Sequence, residues 1–326
     1  MRLLVIGGTR FVGRHVVEAA LRRGHEVTLV HRTATDLFPG AEHVLADRDG
    51  DLGALDGRTF DATADICAYF PRQVRHVVDT LGERAGRYLL ISSTSVYAEP
   101  AGPAFDESSP TVLAAGDDVD VVTDSTYGPL KVACEEVARE LLGDRATVVR
   151  PTYVVGPWDH TQRFTHWVRR LSEGGEVLGP GNPGDPLQVV DARDLGRFVV
   201  DLLEKDVAGT FHAVTPQPPY TFGDMLADVL AVVAPSGTTI TWVDQAWLLE
   251  QGESDATIPL WGGGDPWILA NAASPAASVA AGMKNRSVRQ SAVEVLDHLR
   301  AGPTTGSDPG MTREREAELL AAWHAR

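Results

Sequence analysis

The sequence predicts an α/β fold, a doubly wound parallel sheet with a smaller C-terminal lobe over one edge. Three observations carry this expectation. Short apolar segments alternate with helical ones over the first 150 residues, and a glycine-rich turn follows the first apolar segment. After Pro151 the alternation gives way to Gly/Pro-rich loops such as 178–186. Apolar strands joined by crossover helices belong to a parallel sheet covered on both faces.

Strands are expected at Leu3–Ile6, Glu26–Val30, His43–Ala46, Asp61–Ile66, Tyr88–Ile91 and Thr147–Arg150. Helices are expected at Phe11–Arg23, Arg72–Glu83 and Tyr127–Leu142, then around Phe164–Glu173 and Phe222–Val233. The stretch Ala270–Ala281 reads as local packing, and 302–310 as a polar linker. Thr312–Arg326 reads as a final helix that docks on the body through Leu319, Leu320 and Trp323, with a dimer contact as the alternative.

With 326 residues, 43% hydrophobic, the chain can bury one sizeable core or two connected lobes. A formal net charge of −16 disfavours nucleic acid and anionic membrane as partners. Cys67 and Cys134 are too few for a disulfide framework, so a reducing cytoplasm is expected. No apolar run approaches the roughly 20 residues of a membrane helix, and the first strand ends in Gly-Gly rather than continuing as a leader.

The run Leu3-Leu4-Val5-Ile6-Gly7-Gly8-Thr9-Arg10-Phe11-Val12-Gly13 reads as strand, turn and helix start, the Rossmann-type arrangement that holds a dinucleotide pyrophosphate. Gly7 and Gly8 allow the sharp turn, Gly13 lets the helix pack close, and the helix N–H groups face the phosphates. Arg10 stands three after Gly7, where such loops usually carry another glycine.

Tyr127 and Lys131 are spaced i, i+4, on one face of a helix, where the ammonium would favour the phenolate. Tyr127 is therefore a candidate acid or base at a carbonyl or alcohol. Pro129 fits if the helix begins near Tyr127, since a first-turn N–H has no intrahelical partner. Upstream, Ser92, Ser93, Thr94 and Ser95 follow a strand whose carboxyl end faces the ligand crevice.

With this ordered set the chain resembles the short-chain dehydrogenase/reductase superfamily, in its extended and atypical, NAD-dependent epimerase/dehydratase-like branch. Arg150-Pro151…Gly156-Pro157 and Gln188…Asp191…Asp194 are similar to later segments of that branch. The resemblance implies Tyr127 as catalytic acid/base, Lys131 as the residue that holds the nicotinamide ribose and tunes Tyr127, and Ser93 as the residue orienting the reacting oxygen. It also implies that Asp47 contacts the adenine. Relatives that perform 4,6-dehydration carry Asp-Glu where this chain has Thr94-Ser95, which argues against that reaction.

The expected cofactor-binding set is Gly7, Gly8, Thr9, Arg10, Phe11, Val12, Gly13, His31, Arg32, Asp47, Arg48, Cys67, Ala68, Tyr127, Lys131, Pro151, Tyr153 and Val154. No acid follows strand two to accept the ribose hydroxyls, whereas Arg32 and Arg10 suit a 2′-phosphate, so NADP(H) is favoured over NAD(H). Substrate contacts are expected from Tyr69, Ser93, Thr94, Tyr153, His160, Arg163 and Phe164, with Trp158 and Trp167 nearby.

The organisation implied is a dinucleotide-binding domain over 1–150 with return segments near 187–215, and a substrate-binding lobe over 151–186 and 216–326. The activity expected is NADP(H)-dependent carbonyl reduction, or the reverse, on a small molecule, in a possible homodimer. The alternatives are an NAD-dependent epimerase and a non-catalytic NADP sensor or RNA binder. The loop Gly7-Gly8-Thr9-Arg10-Phe11 is similar to that of chloroplast stem-loop RNA-binding proteins. Asp47–Asp51 fails as a calcium loop at Leu52 and Arg58, no zinc spacing occurs, and no Gly-x-Ser-x-Gly elbow is present.

Overall fold

In the computed structural model, which describes residues 1–98, 105–263, 271–302 and 306–326, the chain is an α/β protein. It begins with β1 (Arg2–Ile6), α1 (Phe11–Arg22), β2 (Glu26–His31), β3 (Glu42–Leu45), β4 (Ala62–Asp65), α2 (Pro71–Leu81) and β5 (Arg87–Ile91). Then come α3 (Asp124–Leu142), β6 (Ala146–Pro151), β7 (Tyr153–Val155), α4 (Arg163–Ser172), β8 (Glu176–Pro180), β9 (Val189–Asp191), α5 (Ala192–Glu204) and β10 (Gly209–Ala213). The remainder holds α6 (Phe222–Val233), β11 (Thr239–Val243), α7 (Gln245–Glu250), α8 (Ala276–Ala280), α9 (Val288–Ala301) and α10 (Arg313–His324).

Seven parallel strands form the central sheet in the order β10-β6-β5-β4-β1-β2-β3. The strand order reverses between β1 and β4, the position at which open α/β sheets take their ligands, at the carboxyl ends of the strands. Successive β1 side chains point to opposite faces, which explains its unbroken apolar run. Leu3 and Val5 pack with Val16 and Val17 of α1 and Phe198 of α5, whereas Leu4 and Ile6 pack with Val74 of α2 and Val137 of α3.

The second lobe has its own core, in which Phe164, Trp167 and Leu171 of α4 meet Met225 of α6 and Leu319 of α10. Two small parallel sheets, β8 with β11 and β7 with β9, complete it. The tail helix α10 docks on the body: Leu319 and Leu320 are buried, and Glu316 accepts hydrogen bonds from Arg170 (2.5 Å) and the Leu178 amide (2.9 Å).

Two sequence expectations need revision. α3 starts at Asp124, where the Thr123 hydroxyl accepts from the Thr126 amide at 3.2 Å, so Pro129 stands in the second turn rather than the first. The stretch expected as a polar linker is tied down, with Asp308 accepting from His166 at 2.8 Å and pairing with Arg169. Ala270 and residues 303–305 of the expected local-packing and linker stretches lie outside the described residues.

Candidate active site

The glycine loop carries β1 into α1. Gly7 adopts φ +87°, and a side chain at Gly13 would place its Cβ 2.0 Å from the Gly7 carbonyl, so only glycine admits this approach. α1 begins after Arg10 with no side-chain cap and no acid in its first turn. Its leading N–H groups are thus left for an anion, and the helix dipole favours one there. These features fit a dinucleotide pyrophosphate. Phe11 opens α1 at φ +34° and sets its ring edge-on to His160, 6.1 Å away, which joins the loop to the second lobe.

Arg10 and Arg32 are both exposed, and neither forms an ion pair among the described residues. Asp47 is exposed and accepts the Asp49 amide at 3.0 Å, which shapes the turn after β3. Arg48 departs from its expected role. Its guanidinium turns inward and grips Asp65 with two 2.6 Å bonds, so it is not offered to a ligand. His31 is likewise buried, with both ring nitrogens engaged by protein groups. Cys67 packs beneath the loop, where its Sγ lies 2.6 Å from the position a Gly7 Cβ would take.

At the carboxyl end of β5, Ser93 caps a short turn, its hydroxyl accepting from the Ser95 amide at 3.1 Å. Thr94 is buried beside it. Gly128 lets α3 reach this turn, since a Cβ there would meet the Ser95 carbonyl at 2.3 Å. Tyr127 thereby comes to Ser93. Burial pushes the Tyr127 phenol above its usual value of 10.0, while the Ser93 hydrogen bond and the Arg163 charge pull it part of the way back.

Lys131 is buried and donates from Nζ to the Ala68 carbonyl (2.8 Å) and the Ile91 carbonyl (2.6 Å). Burial also lowers its own affinity for a proton. The Lys131 ammonium is thus engaged by the Ile91 carbonyl at the end of β5 and the Ala68 carbonyl after β4, and desolvation is the largest influence on the Tyr127 phenol. The half-exposed Tyr69 completes the group, its ring 6.3 Å from that of Tyr127 and 5.3 Å from Lys131 Nζ. Gln73 positions this stretch, its Oε1 accepting from the amides of Tyr69 (2.9 Å) and Phe70 (3.2 Å).

From the second lobe, Arg163 lies 4.8 Å over the Tyr153 ring, and the exposed His160 lies near Arg10. Burial foremost, then the charge of Arg10, disfavours the His160 imidazolium. Pro151 ends β6, and Val154 sits half-buried in β7. Phe164 and Trp167 do not line the cleft: both rings are core, and Trp167 donates to the Pro259 carbonyl at 2.7 Å. Trp158 faces α1 and α9 instead, flanked by the Arg14 guanidinium (4.0 Å) and, at a tilt, the His298 ring (4.5 Å).

Sequence reasoning did not single out Arg14, His43 or Gln73, and no local pattern marks them. Among the described residues no cluster of three His, Cys, Asp or Glu side chains is gathered for a metal, and no helix is long and apolar enough to cross a membrane.

Comparison with known proteins agrees with this architecture. The chloroplast stem-loop binding protein of 41 kDa b from Arabidopsis thaliana is 23% identical over 225 residues, 64% of this chain, and the match spans only 56% of that relative's length. Yeast methylglyoxal/isovaleraldehyde reductase Gre2, solved with NADPH, superposes with a TM-score of 0.62 at 17% identity, covering 92% of this chain and 98% of that one. The UDP-glucuronic acid 4-epimerase of Bacillus cereus, solved with NAD, superposes with a TM-score of 0.66 at 14% identity, covering 92% and 99%. The description of the NAD dependent epimerase/dehydratase family matches residues 3–78 and 62–214, so that loop, sheet and strand-end hydroxyls all fall inside the match, and the chain belongs to that family.

Proposed function

We propose that this chain is an NADP(H)-dependent oxidoreductase that reduces a carbonyl of a small molecule, or oxidises the corresponding alcohol, with Tyr127 as acid/base. One observation carries the reading. Tyr127 is a half-buried phenol, kept in its protonated form by desolvation and hydrogen-bonded with Ser93 at the carboxyl edge of the sheet. A phenol of that kind is a proton donor to a carbonyl oxygen. When bound, the nicotinamide would supply the hydride.

The chain's own residues do the rest. Ser93 and Tyr127 share the oxygen of the reacting group, with the Tyr127 proton passing to it as the carbonyl is reduced. Lys131 holds the ends of β5 and of the segment after β4 in register through Ile91 and Ala68. Arg10 and Arg32 supply two exposed guanidinium groups for a 2′-phosphate, and β2 ends without a carboxylate that would favour a free ribose hydroxyl. A small-molecule substrate would lie against Tyr69, Tyr153, His160 and Arg163.

The test is single-turnover oxidation of NADPH against a panel of aldehydes and ketones, with Tyr127→Phe as the control. Stoichiometric NADPH loss that disappears in the variant supports the reading. The family also holds epimerases, and isomerisation of a sugar nucleotide with no net cofactor consumption would establish that alternative instead. The stem-loop binding relative motivates a parallel filter-binding assay with structured RNA, and the charge of −16 leads us to expect no retention.

A further inference from the structure

Helix α4 carries Arg163, Arg169 and Arg170, and the last two are spent on the tail of the chain. Arg169 pairs with Asp308, and Arg170 with Glu316 at 2.5 Å. Arg163 differs. Its Nε donates to the Thr161 hydroxyl at 3.3 Å, and its guanidinium lies 4.8 Å over the Tyr153 ring. Among the described residues no carboxylate pairs with it, and neither of its Nη atoms has a hydrogen-bond partner. Stability does not account for an arginine at this place. Arg163 is the first residue of α4, whose first turn holds no acid and whose start has no side-chain cap. The helix dipole opposes a cation there, whereas an anion beside Arg163 would be attracted by the guanidinium and the dipole together.

The sheet sets this guanidinium at the reacting edge. β5 and β6 pair with Ile91 opposite Val149, so Ser93 and Tyr153 leave the same carboxyl edge on neighbouring strands. Tyr153 carries Arg163 on its ring, and the Arg163 charge is felt at the Tyr127 phenol. Asp159, an acid close by, makes no ion pair with Arg163. Its Oδ1 accepts from the Thr161 amide at 2.8 Å, and burial disfavours its charged form.

We propose that Arg163 holds a carboxylate of the substrate, so that the compound reduced at Tyr127 is an oxo acid with its carboxylate a few atoms from the carbonyl. This rests on the reductase reading above. With Nε on Thr161 and one face on Tyr153, the edge formed by the two Nη atoms is left, and it matches the two oxygens of a carboxylate. The charges of Arg10 and Arg163 both reach His160, so they focus an anion at this edge in spite of the formal net charge of −16.

The test compares 2-, 3- and 4-oxo acids with their amides, which are neutral and of nearly the same shape. Each pair is measured in NADPH oxidation, and in calorimetric binding to the protein loaded with NADP⁺, where no reduction occurs. The oxo acid of best-fitting length should be favoured over its amide by about 10- to 100-fold in both. Arg163→Gln should bring that ratio within about threefold, and Arg163→Lys, which keeps the charge without the fork, should fall between. NADPH affinity should stay within about twofold in both variants. Acids and amides reduced equally well by the wild type overturn the proposal and leave the reductase reading intact. A tenfold loss of NADPH affinity in Arg163→Gln also overturns it, by assigning Arg163 to the cofactor. Reduction of neither class overturns the reductase reading. Acid-selective binding abolished by Arg163→Gln would then uphold the carboxylate site alone, and its absence would overturn both.

Discussion

Arg48 and Asp65 form a buried bidentate ion pair, two 2.6 Å bonds between the loop after β3 and the end of β4, with Asp65 fully enclosed and also accepting from Tyr88. The pair underlies the crevice: the Cys67 amide, at the turn that faces the glycine loop, bonds the same carboxylate at 3.3 Å. Breaking such a pair leaves an uncompensated buried charge. Arg48→Met should lower unfolding free energy by about 3–5 kcal/mol in urea titration, and a loss under 1 kcal/mol would show that the pair is dispensable.

The same carboxylate sets an acid limit. Burial opposes its charge, but Arg48 wins and holds Asp65 below its usual 3.8. A folded pKa below the unfolded one contributes stability that is present above about pH 4 and is lost as pH falls through the folded value. Thermal melts from pH 5 downward should therefore show a steeper decline for the wild type than for Asp65→Asn. Parallel declines would move the acid sensitivity to other carboxylates.

The Tyr127 phenol, raised above 10.0 by burial, should stay protonated through neutrality. For reduction, kcat/KM should be flat from about pH 6 to 9 and fall only above about pH 10, as the donor is lost. Tyr127→Phe should cost about 10²–10⁴-fold in kcat while NADPH affinity stays within about twofold. A plateau that breaks near pH 7 would point to another acid.

Arg32→Asp should weaken NADPH binding by about 10- to 100-fold, the scale of a charge-assisted bond to phosphate, and improve NADH binding. Fluorescence titration with both cofactors reads this directly, and unchanged NADPH affinity would remove Arg32 from the cofactor site.

Lys131→Met deprives the Ala68 and Ile91 carbonyls of their shared donor. A loss of about 1–3 kcal/mol in stability is expected, together with weaker NADPH binding. A variant that melts lower yet binds NADPH as the wild type does would make Lys131 a brace alone.

Much of the frame was legible in the residues themselves. The run Leu3–Ile6 is buried on both faces because alternate side chains serve opposite layers, and the glycines after it fit the turn they occupy. That Tyr127 and Lys131 share one helix is legible from their i, i+4 spacing, which is a local property. Apolar periodicity places the start of α3 too late, because Thr123 caps the helix through a reciprocal bond with Thr126 that periodicity does not register.

What tertiary structure alone decided is where charged and aromatic side chains spend their interactions. Arg48 meets Asp65 across strands, Lys131 turns to two carbonyls rather than to the Tyr127 phenol, and Phe164 and Trp167 enter the core instead of the cleft. His31 finds His43 only because β3 aligns beside β2. Periodicity records which face of an element is buried, so sequence by itself determined the layers, the glycine loop and the family. Partner choice among buried polar groups depends on desolvation and geometry between segments distant in the chain, so only the folded packing could determine it.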